Sequence, residues 1–186
     1  MSTGSVEQIK ESLKRGAAAL RDAGVPFLVG GGLASWARGG PESGHDVDLF
    51  VKPDDAERAW KALEAAGMRL ERPPEAWLLK AWDGDVLIDI IFEPSGLEIT
   101  DEVIDNAEEI EILAQSMKVL SLEDLLVTKL SCLREHEVDY DPHLEITRSL
   151  RERIDWDDVR RRAPDNPYVR AFFTLAEGLE LIPPAT

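Results

Sequence analysis

The stretch from Val25 to Val51, VPFLVGGGLASWARGGPESGHDVDLFV, constrains this chain more than any other. Val25–Val29 is a short apolar run stopped by Gly30, Gly31 and Gly32, the pattern of a buried strand closed by a turn. Three successive glycines carry no Cβ, so the backbone there can take positive φ or let another group approach closely. Leu33–Ala37 has helix-compatible composition, and Gly39-Gly40-Pro41 ends it. After the polar loop Glu42–His45 comes a second strand, Asp46-Val47-Asp48-Leu49-Phe50-Val51. Alternation places Asp46 and Asp48 on one face, about 6.6 Å apart along the strand. Two such carboxylates repel each other unless a cation sits between them. Either feature alone is weak, a mere turn or a mere exposed strand. Their order, with a short helix between, fits a phosphate-sized concavity facing a carboxylate pair, as metal-dependent phosphoryl transfer requires.

The rest of the chain alternates helical and extended patterns. Residues 6–23 put Ile9, Leu13, Ala17 and Leu20 on one helical face, with Gly24 as a stop. Asp54 is placed to cap a helix over 55–66, in which Ala56, Ala59, Trp60 and Leu63 form the apolar stripe. A short strand over 68–72 precedes a hairpin of 76–82 and 85–92 turned at Asp83-Gly84. A helix is expected over 101–107, a strand over 109–114, a turn at Gln115–Met117 and a strand over 118–120. Ser121-Leu-Glu-Asp124 has capping-box form and opens a helix over 122–135. Further helices are predicted over 142–153, 156–162 and 167–181, before a loose tail at 183–186.

Outside the opening stretch, Asp89 is the most informative residue. It stands within Val-Leu-Ile-Asp-Ile-Ile-Phe, where an unpaired buried charge costs several kcal/mol. It therefore needs a buried arginine, backbone donors or a metal; Asp85, just past Gly84, reads as a turn residue. Lys129 lies on or beside the apolar stripe of the 122–135 helix, where it either snorkels to solvent or has a charged partner. Arg148, Arg151, Arg153, Arg160, Arg161 and Arg162 gather positive charge that is either a solvated face or a phosphate-binding one. His45, His136 and His143 have no zinc-like spacing with a cysteine.

Gly31-Gly32 followed by Asp46-Val47-Asp48-Leu49, with a possible start at Gly30, resembles the signature of the polymerase-β-type nucleotidyltransferase superfamily. The text around it is similar to minimal, antibiotic-type and AbiEii-like toxin-type members. The likeness runs over residues 25–135, is best at the opening motif, and loosens at Arg134–His143. It implies an α+β fold: a short mixed, twisted sheet flanked by helices, with a C-terminal helical segment. A catalytic core over 1–120 and a helical segment over 121–182 follow from it. The implied activity moves a nucleoside monophosphate from an NTP to an acceptor hydroxyl and releases pyrophosphate. The resemblance assigns Asp46 and Asp48 to one or two Mg²⁺ ions, which Mn²⁺ can replace. It makes Asp89 the third ligand or the base. It places Gly30, Gly31, Gly32 and Ser35 by the phosphates, and Lys129 facing the triphosphate. The acceptor is left open among a small molecule, a tRNA end and a protein, and a toxin–antitoxin partner is open too. Two other readings stand beside this one: an inactive member of the fold serving as antitoxin or binding module, and a phosphate-ester hydrolase at the same metal site.

Composition narrows this further. The 186 residues suit one domain, or a catalytic domain with a small addition, and 44% hydrophobic content supports a core. A net charge of −16 argues against indiscriminate nucleic-acid binding. No apolar run has the length of a membrane span, and Met1–Glu7 shows no signal-peptide pattern. The lone Cys132 excludes an internal disulfide and, in an apolar helical pattern, is expected to be buried. The expected compartment is the cytoplasm.

Overall fold

The structure, a computed structural model, describes residues 5–41 and 46–185. The loop Glu42–His45 therefore lies outside the described residues, as do residues 1–4 and 186.

Helix α1 (Val6–Asp22) begins at a reciprocal cap: the Gln8 N–H donates to Ser5 Oγ at 3.3 Å, and the Ser5 N–H to Gln8 Oε1 at 2.6 Å. Its predicted stripe of Ile9, Leu13, Ala17 and Leu20 is wholly buried. Strand β1 (Leu28–Val29) is shorter than the apolar run suggests, because only these two residues pair with neighbours. Helix α2 (Gly31–Ala37) follows at once, and β2 (Asp46–Phe50) returns antiparallel to β1. A single 3₁₀ turn over Pro53–Asp55 leads into α3 (Ala56–Ala65), then β3 (Arg69–Glu71) and the hairpin of β4 (Leu78–Asp83) and β5 (Val86–Ile91). After α4 (Asp101–Asn106) comes a second hairpin, β6 (Glu108–Ile112) and β7 (Gln115–Val119).

The fold is α+β, as the sequence predicts. All seven strands form one mixed sheet in the order β3-β4-β5-β2-β1-β7-β6. Strand β2 runs parallel to β5, and β1 parallel to β7; the other pairs are antiparallel. Alternation sorts the side chains cleanly. Val47, Leu49, Ile88 and Ile90 face α1 and α3, where Gly16 lies against Leu49 and Ile88. Asp46, Asp48 and Phe50, with Leu87, Asp89 and Ile91, occupy the opposite face.

The C-terminal part is helical: α5 (Leu122–Ser131), α6 (Asp141–Leu150), a 3₁₀ turn over Arg151–Arg153, α7 (Trp156–Arg162) and α8 (Pro167–Gly178). Ser121 caps α5 by accepting the Asp124 N–H at 3.0 Å. The apolar core is continuous from Ile9 to Ile182, so these helices share it with the sheet. Arg38, 8% exposed, ties the parts together. Its guanidinium pairs with Glu108 and donates to the Val119 and Leu120 carbonyls, while Arg153 donates to the Arg38 carbonyl at 2.6 Å. Among the described residues no helix is long and apolar enough to cross a membrane.

Three expectations need correction. The turn of the second hairpin is Leu113-Ala114, not Gln115–Met117, and the following strand starts at Gln115. Both turn residues adopt positive φ, 54° and 61°, without a glycine or asparagine to signal it. Helix α5 ends at Ser131 rather than Glu135. Cys132 is exposed, because it follows the last turn of α5 instead of lying on its apolar stripe.

Ala114 is exposed and held in a conformation that L side chains disfavour. Ala114→Gly is expected to stabilise the protein by about 0.5–1 kcal/mol, read as a rise in the urea midpoint; an unchanged or lower midpoint contradicts the turn geometry.

Candidate active site

The site is set by strand register. Asp48 on β2 is directly opposite Asp89 on parallel β5, and Asp46 lies two residues back on the same face. One carboxylate oxygen from each of Asp46, Asp48 and Asp89 lies within 4.8 Å of the others. The three residues singled out in the sequence are thus brought together. Burial pushes the Asp48 carboxyl up to about 8, reinforced by the charges of Asp46 and Asp89 and only partly opposed by Lys129 and Lys80. Burial likewise raises Asp89 to about 6, with Lys80 opposing it and Asp46 adding to it.

The glycine turn fits against this cluster with no room to spare. Gly31 has φ 54°, and a Cβ there would collide with the Asp48 carboxylate; one on Gly30 would strike the Phe50 ring. The Gly30 N–H donates to the Asp48 carbonyl at 2.9 Å, so it belongs to the sheet and is not free for a ligand. Gly31 and Gly32 form the first turn of α2, whose N–H groups have no partner within the helix. Ser35 does not join them. It is 1% exposed, its hydroxyl faces Gly40 one turn further on, and it is not part of the cavity wall.

Beside the triad opens a cavity of about 280 Å³. Asp48, Ser95, Thr128 and Lys129 contribute polar groups to its lining, and Phe50, Trp77, Ile91, Pro94 and Leu125 apolar ones, with Gly31 at the turn. Trp77, 42% exposed, leaves much of its surface at the mouth. Lys129 therefore sits at the cavity, close enough to Asp48 to pull its pKa down. Cys132 lines the same cavity.

Two features escaped sequence reasoning. Lys80 lies opposite Asp89 on β4, and its Nζ is 3.4 Å from Asp89 Oδ1. A lone lysine in an alternating strand reads as solvent-facing, and only the β4–β5 register would have found it. Trp77 precedes β4 in a segment whose placement over the cavity no local pattern signals.

The donor set fits a hard divalent cation. It offers oxygens only, closely grouped, and Asp89 Oδ1 is buried without a hydrogen-bond partner. The second half of the arginine-rich segment, by contrast, is committed internally. Arg160 bonds Glu177 and the Pro183 carbonyl, Arg161 pairs with Asp158, and Arg162 bridges Asp158 and Asp124. Arg148 and Arg151 remain exposed.

The mixed sheet carries a glycine turn, an Asp-x-Asp strand and a third carboxylate on the adjacent parallel strand. The chain belongs to the family described as "Nucleotidyl transferase of unknown function (DUF2204)", which it matches over residues 9–167. No curated protein matches it. Among solved structures, ANT(2″)-Ia in complex with adenylyl-2″-tobramycin is similar at a TM-score of 0.62 and 20% identity, covering 89% of this chain and 97% of that one. The solution structure of the antibiotic-resistance factor ANT(2″)-Ia gives 0.63 and 21%, covering 92% and 94%. Lincomycin-bound LnuA, a lincosamide antibiotic adenylyltransferase, gives 0.53 and 12%, covering 86% and 98%. At these identities the likeness concerns the fold.

Two outcomes test the geometry. Both Gly31 and Gly24 have positive φ, but only Gly31 is crowded. Gly31→Ala is expected to cost about 3 kcal/mol or more and Gly24→Ala about 1. Equal losses in denaturant unfolding would show that Asp48 does not constrain the turn. The second concerns pH. An unfolded aspartate releases its proton near 3.8, whereas native Asp48 and Asp89 keep theirs to about 8 and about 6. In EDTA, stability should therefore fall as pH rises through this window. Asp48→Asn should flatten the fall between pH 6 and 8 relative to wild type; parallel profiles would contradict the raised Asp48 pKa.

Proposed function

We propose that this nucleotidyltransferase moves a nucleoside monophosphate from an NTP to a hydroxyl of a small-molecule acceptor, releasing pyrophosphate. The observation that carries this is the register of Asp46, Asp48 and Asp89 beside a cavity that also holds Lys129. Asp46 and Asp48 would hold Mg²⁺, or Mn²⁺ in its place, and Asp89 would complete the donor set or serve as base. A bound divalent cation supplies charge neutralisation and orientation of the phosphates. Lys129 adds a compact positive charge at the cavity. Gly31 and Gly32 let the phosphates approach the backbone closely.

The acceptor oxygen attacks the α-phosphorus, the bond to the bridging oxygen of the β-phosphate breaks, and pyrophosphate leaves. The acceptor's proton passes to Asp89, whose Oδ1 has no hydrogen-bond partner and whose raised pKa suits a base near neutral pH. Two observations favour a small molecule over RNA: the net charge of −16, and the engagement of Arg160, Arg161 and Arg162 in internal ion pairs. The small-molecule antibiotics in the similar structures agree with this choice.

Each of the four NTPs, with Mg²⁺ or Mn²⁺, should be tested for pyrophosphate release against panels of hydroxylated antibiotics, tRNA and protein. Acceptor-dependent release with a small molecule is expected, and Asp46→Ala should lower it by at least about 1000-fold while the fold is kept. Full activity in Asp46→Ala would overturn the assignment. Release that needs tRNA or protein would overturn the acceptor class. Asp89→Asn separates the two roles of that residue. Loss of about 100-fold or more in kcat with metal binding kept marks the base; loss of both marks a ligand.

A further inference from the structure

Three carboxylates meet at the triad, and among the described residues Lys80 is the cation ion-paired with Asp89. We propose that Lys80 is the positioning residue for Asp89 and the counter-ion that balances the triad until a divalent cation enters. This rests on the metal-binding reading of the triad given above.

Register across four strands places Lys80 beside the triad. Asp48 of β2, Asp89 of β5, Lys80 of β4 and Glu71 of β3 form one lateral row, each directly opposite the next. Lys80 therefore has a carboxylate on either side. Glu71 is already engaged, because its Oε2 accepts the Trp82 Nε1–H at 2.8 Å and lies 3.7 Å from Arg69. Lys80 instead turns to Asp89, with Nζ 3.4 Å from Oδ1. At that separation the contact is an ion pair with no short, well-aligned hydrogen bond to Asp89 Oδ1. The lysine thus supplies a compensating charge at the oxygen that a cation would take.

Its backbone is fixed as well. The Trp60 indole N–H from α3 donates to the Lys80 carbonyl at 2.7 Å on the far side of the strand. The Lys80 side chain is only 22% exposed and that of Asp89 12%. A half-buried ammonium is retained where an opposite charge compensates its lost hydration. Lys129 stands toward Asp48 from the cavity. The two lysines reach the triad from different elements, Lys80 from β4 and Lys129 from α5.

A counter-ion of this kind competes with an incoming cation, so removing it should tighten metal binding even though it removes a native contact. A residue with a merely structural role would show the reverse. Mn²⁺ affinity should be measured by electron paramagnetic resonance at pH 8 on wild type, Lys80→Met and Lys80→Arg, with melting followed with and without Mn²⁺. Lys80→Met is expected to bind Mn²⁺ at least about fivefold more tightly. Its metal-free melting temperature should fall and recover on adding Mn²⁺. Lys80→Arg, which keeps the charge, should stay within about twofold of wild type. Unchanged or weaker Mn²⁺ binding in Lys80→Met overturns the role of Lys80. Absence of Mn²⁺ binding in wild type overturns the metal-site reading itself.

Discussion

The structure depends on a conflict of like charges that it tolerates in one place. Parallel pairing of β2 with β5 sets Asp48 directly beside Asp89, and Asp46 shares their face. Nothing in the packing of the sheet calls for this, since apolar residues at these positions would satisfy the register equally well. Like charges on adjacent strands destabilise a sheet. The fold limits the cost through Lys80 and Lys129 and through carboxyls that hold their protons to higher pH. We propose that a cluster kept at such expense is the centre of a charge-binding site.

Other features follow from keeping this cluster accessible. Gly31 lacks a side chain because the Asp48 carboxylate occupies the space a Cβ would need. Helix α2 can thereby start directly over the strand end. Helix α5 closes the opposite wall and brings Leu125 and Lys129 to the same cavity, which Phe50, Ile91 and Trp77 complete. One concavity thus combines a carboxylate end, a cationic wall and an apolar lobe of the kind that encloses a small organic ligand. Arginines of α7 contribute elsewhere: Arg162 holds α7 to α5 through Asp124, Arg160 holds it to α8 through Glu177, and Asp158 pairs with Arg161 and Arg162 within α7.

Much of this is legible in the sequence, for physical reasons that differ by residue. Asp89 announces itself because a carboxylate within a continuous apolar strand is costly. Asp46 and Asp48 do so because a two-residue spacing fixes their common face. The stripe of α1 and the Ser121 cap of α5 are equally local signals. What the sequence hides depends on partners distant in the chain or on rare backbone states. Lys80 acquires meaning only from the β4–β5 register. Ser35 sits one helical turn past Gly31, and only the packing of Gly40 reveals that its hydroxyl faces inward. The Leu113-Ala114 turn carries no turn residue at all, so its hairpin is misplaced by pattern alone. Cys132 follows an apolar helix whose end falls one residue before it.

The central claim is that the triad and the Lys129 cavity form one metal-dependent triphosphate site. Its most direct test is a calorimetric titration of each NTP, with and without Mg²⁺, into wild type and an Asp46→Ala/Asp48→Ala double variant. The account predicts Mg²⁺-dependent binding of at least one NTP by wild type and its loss in the variant. Binding of equal strength in the variant, or none by wild type at millimolar NTP, would contradict it.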